Sequence, residues 1–133
     1  MKIMVCGPIG YGNVNEIKEL QKNLRARGFK IVNQFENEGM DYSHVKDFRN
    51  QKELADRIVK NDLELIKKAD VIVAICNEPS FGTAMEISEA KKLGKTVIVF
   101  SENPLASPWP IAYSNHIVTS EDELIELLSK LKC

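Results

Sequence analysis

The chain has 133 residues, enough for one domain around a single buried core. It is 44% hydrophobic and 28% charged, and 18 basic against 19 acidic residues leave a formal net charge of −1. That balance excludes a disordered chain and supplies no basic surface for a nucleic-acid polymer or a membrane, whereas a few backbone N–H groups can still hold a small anion.

Ile3–Cys6 is a short apolar run closed by Gly7-Pro8, which predicts a buried strand ending in a turn. Helical spacing of Ile17, Leu20 and Leu24 predicts a helix from about Asn15 to Arg27, with Gly28 just past its end. Phe29–Phe35 follows as a second strand. From Glu36 to Asp47 the chain is polar and aperiodic, a length of irregular chain that points to a functional loop. A long helix is expected over Gln51–Lys68, then a strand covered on both faces over Val71–Cys76. A helix over Gly82–Leu93, a strand over Thr96–Phe100 and a proline-bearing loop over Ser101–Ser114 come next. Ile117-Val118 forms a last short strand, and Ser120-x-x-Glu123 is a capping box opening the final helix.

Strands alternate with helices, and the best strands are apolar throughout. The fold class is therefore α/β, a flavodoxin-like or Rossmann-like three-layer sandwich on a parallel five-stranded sheet, as one domain over residues 1–133. Ligands of such sheets bind beyond the strand carboxyl ends. The loops Gly7–Asn13, Glu36–Asp47, Asn77–Gly82 and Ser101–Ser114 all leave those ends.

Two acidic residues resist a purely structural role. At about 100° per residue, Leu54, Ala55, Ile58, Val59, Leu63, Leu65, Ile66 and Ala69 fill one half of their helix, and Asp62 falls near its middle. A carboxylate aimed into apolar packing is costly unless a partner holds it. The structural alternative is a hydrogen bond to a buried backbone end. Glu86 lies in the first turn of the helix beginning near Gly82, on the side of Ala90 and Leu93, where a dipole-favoured capping carboxylate is the plain alternative. The segment Asn77-Glu78-Pro79-Ser80-Phe81-Gly82-Thr83 enters that helix as a loop able to hold an anion, although it lacks the glycines of a P-loop. Gly7-Pro8-Ile9-Gly10-Tyr11-Gly12 is glycine-rich but is not a dinucleotide fingerprint.

Cys6, Cys76 and Cys133 make no CxxC pair, so neither a disulfide framework nor a zinc site is expected. Cys6 and Cys76 read as small core hydrophobes. No apolar run suits a signal peptide or a membrane span, and the expected location is the cytoplasm.

With these residues in view, the sequence resembles the nucleoside 2-deoxyribosyltransferase superfamily, and within it the 2′-deoxynucleoside 5′-phosphate N-hydrolases. The resemblance rests on Val5-Cys6-Gly7-Pro8-Ile9, on Asn61-Asp62-Leu63-Glu64-Leu65-Ile66-Lys67-Lys68-Ala69-Asp70-Val71-Ile72-Val73-Ala74, and on Pro79-Ser80-Phe81-Gly82-Thr83-Ala84-Met85-Glu86. It implies that Glu86 is the nucleophile and that Asp62 contacts the ligand near sugar and base. Ser80, six residues before the nucleophile, stands where nucleotide hydrolases carry a phosphate-holding serine and nucleoside transferases an aspartate. His44-Val45 resembles a His-Val pair of the hydrolases, and Ser107 a serine that reaches the phosphate in the neighbouring subunit's site. Gly7, Ile9, Tyr11 and Gly82 complete the implied substrate-binding set.

The chain departs from the hydrolases at Met4, where they have a tyrosine, and at Gly10, where their Ser-Ile-Arg turn has its arginine. Tyr11 and Tyr42 are the candidates for the missing phenol. The resemblance thus implies hydrolysis of the base–sugar bond of a 2′-deoxynucleoside 5′-monophosphate. Glu86, expected to be kept ionised by its helix N-terminus, attacks, and Asp62 serves the leaving base. No cofactor or metal is implied, and the partners are a small nucleotide and a second copy of the chain, with the site completed across a homodimer interface. Two alternatives stay open: a transferase exchanging bases through the same intermediate, and a non-catalytic nucleotide-binding domain.

Overall fold

The structure, a computed structural model, describes residues 1–10 and 14–132. Among the described residues, five strands and five helices run β1 (Lys2–Cys6), α1 (Val14–Ala26), β2 (Lys30–Val32), α2 (Lys52–Lys68), β3 (Val71–Ile75), α3 (Phe81–Lys92), β4 (Thr96–Phe100), α4 (Pro108–Tyr113), β5 (His116–Val118) and α5 (Glu121–Leu131). All pairings are parallel, in the order β2-β1-β3-β4-β5, as expected for a flavodoxin-like sandwich.

The strand pleat sorts the apolar residues into two layers. Ile3, Val5, Val71, Val73, Ile75, Ile98 and Phe100 face α1 and α5, whose Ile17, Leu24, Leu124 and Leu128 are fully buried. Met4, Cys6, Ile72, Ala74, Cys76, Val97 and Val99 face the other way, against Ile66 of α2 and Ile87 and Ala90 of α3, with Tyr113 of α4 at the margin. Gly28 and Gly94, just beyond α1 and α3, take φ of +88° and +73°, the left-handed conformation that closes a helix without a Cβ penalty. No described helix is long and apolar enough to cross a membrane.

Three expectations need correction. The second strand is three residues long, not seven. The Asn33 side chain accepts from the Phe35 N–H at 3.0 Å and turns the chain, and Gln34 points its amide inward. The segment Ser101–Ser114 is not loop throughout, because Ser107 caps α4 by accepting from the Trp109 N–H at 3.3 Å, with Pro108 at the first helical position. Helix α3 begins at Phe81, which places Glu86 in its second turn and not its first.

Candidate active site

The chain order reverses between β1 and β3, and ligands of doubly wound sheets bind at the strand carboxyl ends of such a switch point. Cys6 ends β1 there, in register with Ala74 of β3. Asp62 arrives from α2, at the centre of the arc that buries Ile58 and Ile66. The expected apolar half is narrower than its sequence suggests, since Val59 and Leu63 at its edge stay exposed. Glu86 arrives from α3, beside the face formed by Thr83, Ile87 and Ala90.

The structure brings Asp62 and Glu86 together in desolvated surroundings. Burial pushes the Glu86 carboxyl up to about 8, and the nearby Asp62 charge adds to the rise. The Cys6 thiol nearby opposes it. Burial raises Asp62 to about 6, tempered by a hydrogen bond from Asn61. The expectation of a Glu86 kept ionised by its helix terminus is therefore overturned. The macrodipole acts over the first turn, and Glu86 lies one turn further in, half-buried and beside the Asp62 charge. Tyr42 faces the same pair, and burial with the Glu86 and Asp62 charges holds its phenol well above its ordinary range. Tyr42 is therefore a neutral hydroxyl at every physiological pH. Tyr11, the other candidate phenol, lies outside the described residues.

A chain of side-chain amides fixes this arrangement. Gln34, 4% exposed, donates to the Val5 carbonyl at 2.6 Å and accepts from Gln21 at 3.0 Å. It extends the β1–β2 ladder by a side chain where the short strand has stopped. Asn61 donates to the Gln34 carbonyl at 3.3 Å and accepts from Asn37 at 2.7 Å, so the residue beside Asp62 is pinned to the root of the long loop. Further along, Asp41 accepts from Lys18 at 2.6 Å and from the Ser43 hydroxyl at 2.7 Å, and the Tyr42 ring meets Phe48 edge-on at 5.5 Å. On the far rim, Asn77 donates to Glu16 at 2.6 Å and accepts from the Glu102 N–H at 2.8 Å, joining the loops after β3 and β4 to α1.

Ser80 caps α3, its hydroxyl accepting from the Thr83 N–H at 3.3 Å. Gly82 leaves the helix entrance open, for a Cβ built there meets only the Ser80 oxygen, at 4.0 Å. Phe81, 92% exposed, stands between them. The buried Thr83 hydroxyl has no hydrogen-bond partner among the described residues.

The remaining expected residues are dispersed. A Cβ on Gly7 would lie 3.1 Å from the Ile17 side chain, so this glycine permits close packing of α1 on the sheet. Ile9 is 6% exposed and packed into the α1–α5 layer, leaving only its backbone for a ligand. His44 and Ser107 are exposed, and none of the described hydrogen bonds ties either to the carboxyl pair. Among the described residues, no three His, Cys, Asp or Glu side chains gather as a metal site.

Sequence reasoning missed Cys6, read as filler, and the Gln21–Gln34–Asn61 amides. Gln21 did carry a signal, since it sits between Ile17 and Leu24 on the apolar face of α1, as Asp62 does on α2.

A parallel sheet in this order, with two mutually repelling carboxyls at its switch point, defines a doubly wound α/β protein, a class whose ligands bind at the strand ends. The chain belongs to the nucleoside 2-deoxyribosyltransferase family, whose model matches residues 3–128. Among solved structures, a 2-deoxyribosyltransferase from Bacillus psychrosaccharolyticus is 24% identical, with TM-score 0.67 over 93% of this chain and 90% of its own. The CMP N-glycosidase BcmB of Clostridium botulinum is 21% identical, with TM-score 0.60 over 98% and 99%. A conserved protein from Enterococcus faecalis V583 is 19% identical, with TM-score 0.70 over 98% of each chain. At these identities the likeness is one of fold. No curated protein matches the sequence.

Proposed function

We propose that this chain is a cytoplasmic N-glycosidase that hydrolyses 2′-deoxynucleoside 5′-monophosphates to free base and 2-deoxyribose 5-phosphate. The observation that carries the reading is the Asp62–Glu86 pair, two half-buried carboxyls pushed up to about 6 and about 8, which leaves them sharing one proton near neutrality. With the proton on Asp62, the Glu86 carboxylate attacks the anomeric carbon. The carbon–nitrogen bond breaks toward the base, which takes the Asp62 proton directly or through water. Water then attacks the same carbon, gives its proton to Asp62 and releases Glu86. The anion beside the oxocarbenium-like transition state stabilises it through a medium of low dielectric.

Ser80 at the capped, open N-terminus of α3 supports a 5′-phosphate, since unpaired N–H groups and the helix dipole favour an anion there. One charge-assisted contact is worth roughly 1.5–3 kcal/mol, or about ten- to a hundredfold in kcat/KM. A deoxynucleoside is therefore expected to react far more slowly than its monophosphate, and Ser80→Ala to narrow that gap. The gap is the readout because losing the cap alone, worth about 1 kcal/mol of stability, would leave the substrate ratio unchanged. Equal rates on both substrates in the unmodified protein would remove the monophosphate assignment. One observation favours base exchange instead: Gly10 supplies no side chain where the hydrolases have their arginine, and nothing lies within 4 Å of its Cβ direction. A foreign base added to the assay separates the readings, because transfer yields a new nucleotide and hydrolysis does not.

The partner is a second copy of the chain. Val59 and Leu63 of α2, Met85 of α3 and Trp109 of α4 are 55%, 36%, 71% and 67% exposed on the outer side of one helical layer, which suits burial in a homodimer. Exposed Ser107, at the start of α4, is then the residue to reach the phosphate in the neighbouring site. Sedimentation of the chain as a monomer at micromolar concentration would refute this.

A further inference from the structure

We infer that Asn61 is a positioning residue for Asp62: its carboxamide, bonded at both ends to the segment just past β2, clamps the turn of α2 that carries the proposed proton donor. The inference rests on the assignment of Asp62 as that donor. Asn61 Nδ2 donates to the Gln34 carbonyl at 3.3 Å, and Asn61 Oδ1 accepts from Asn37 Nδ2 at 2.7 Å. The inner of these two partners is itself held fast. Gln34 is 4% exposed, donates from its side chain to the Val5 carbonyl at 2.6 Å and accepts from Gln21 at 3.0 Å. The end of β1 is thereby joined, through Gln34, to the residue preceding Asp62.

Helix α2 needs such a clamp because its packing is thin where Asp62 stands. Of its 17 residues only Ile58 and Ile66 are buried, one turn to either side of Asp62. Between them the apolar face is interrupted by the carboxyl, and Val59 and Leu63 stay exposed. Interdigitated apolar side chains ordinarily fix how a helix sits on its sheet. At this turn the contact is a side-chain amide instead. Its geometry bears on the chemistry, since a proton donor must come within about 2.6–3.2 Å of the departing nitrogen, and a misplacement of about 1 Å can cost about a hundredfold. Both amide groups of the clamp are neutral at every working pH, so it locates the donor without adding a charge beside it.

Asn61→Ala is expected to lower kcat on 2′-deoxynucleoside 5′-monophosphates by about ten- to a hundredfold while KM stays within about twofold, the pattern of a group that matters in the transition state alone. Asn37→Ala removes the outer partner from the exposed loop, leaves the Gln34 bond in place, and should lower kcat in the same sense by a smaller factor. The double variant should be no slower than Asn61→Ala, because both changes open one clamp. Lys18→Ala frees the same loop from α1 by removing the partner of Asp41, yet leaves both Asn61 bonds intact. It should keep the parental kcat.

Parental kcat in folded Asn61→Ala would overturn the inference, as would an equal loss in Lys18→Ala or losses from Asn61→Ala and Asn37→Ala that multiply in the double variant. If Asn61→Ala does not fold, Asn37→Ala carries the test, and parental kcat there overturns the inference in its turn. Amide hydrogen exchange on the substrate-free protein reads the clamp apart from the reaction: the α2 amides around Asp62 should exchange faster in Asn61→Ala, and those of α3 should not. Unchanged exchange in α2 would overturn the clamp. Faster exchange in a protein that releases no base from any nucleotide would uphold the clamp and remove the proposed reaction.

Discussion

Glu86→Gln is expected to abolish base release, by at least about a thousandfold, and at the same time to make the protein more stable at pH 8. The first half follows from removing the atom that attacks. The second follows from linkage. The carboxyl titrates near 4.5 when unexposed to the fold and at about 8 within it, so the folded chain binds more protons throughout that window. Stability therefore falls as pH rises from about 4.5 to about 8, because the folded chain must ionise a desolvated carboxyl there. Glutamine occupies the same volume without ever ionising. Its melting temperature should exceed the parent's at pH 8, and by little near pH 4.5. A variant with parental turnover would sink the nucleophile assignment. One that is inactive and less stable at pH 8 would mean that the carboxylate is held by a partner in the folded protein.

The unmodified enzyme is expected to show a bell-shaped profile of kcat/KM against pH, with limbs near 6 and near 8 that belong to the carboxyl pair. Below the lower limb both groups are protonated and no nucleophile exists. Above the upper limb both are ionised and nothing protonates the departing base. Asp62→Asn should lower the rate by about a hundred- to a thousandfold, the usual contribution of a positioned proton donor. It should also change the shape of the residual profile. The alkaline limb disappears with the acid, and the limb due to Glu86 moves to lower pH because the Asp62 charge no longer opposes its ionisation. Retention of both limbs in the variant, or its simple unfolding, would return Asp62 to a structural hydrogen-bonding role.

The fold was legible because its strands are buried on both faces. Val71–Ile75 and, after Thr96, the rest of β4 are apolar residue after residue, which only a sheet covered by two helical layers accommodates. The long loop declared itself by lacking any period, and Asp62 by breaking one. What stayed illegible depended on contacts between distant segments. The Phe29–Phe35 run has the composition of a strand, yet Gln34 abandons the ladder to bind Val5, a choice visible only once β1 lies beside it. Cys6 reads as filler until α3 brings Glu86 against it. The raised Glu86 titration escaped for a different reason: proximity to a helix start was legible, whereas the desolvation and the Asp62 charge that outweigh it depend on α2 packing beside α3.

The amide chain through Gln21, Gln34, Asn61 and Asn37 has no ionisable member. The charged tie further out, Asp41 with Lys18, has its carboxyl held below the ordinary range by the lysine and Ser43, so it too is unchanged between pH 6 and 8. Acidity can thus toggle the two carboxyls proposed to react while these amide joints keep their state. In engineering terms the proton circuit and the frame that carries it are insulated from each other. On the proposed mechanism, a change of rate with pH would report on the carboxyl pair and not on these amide joints.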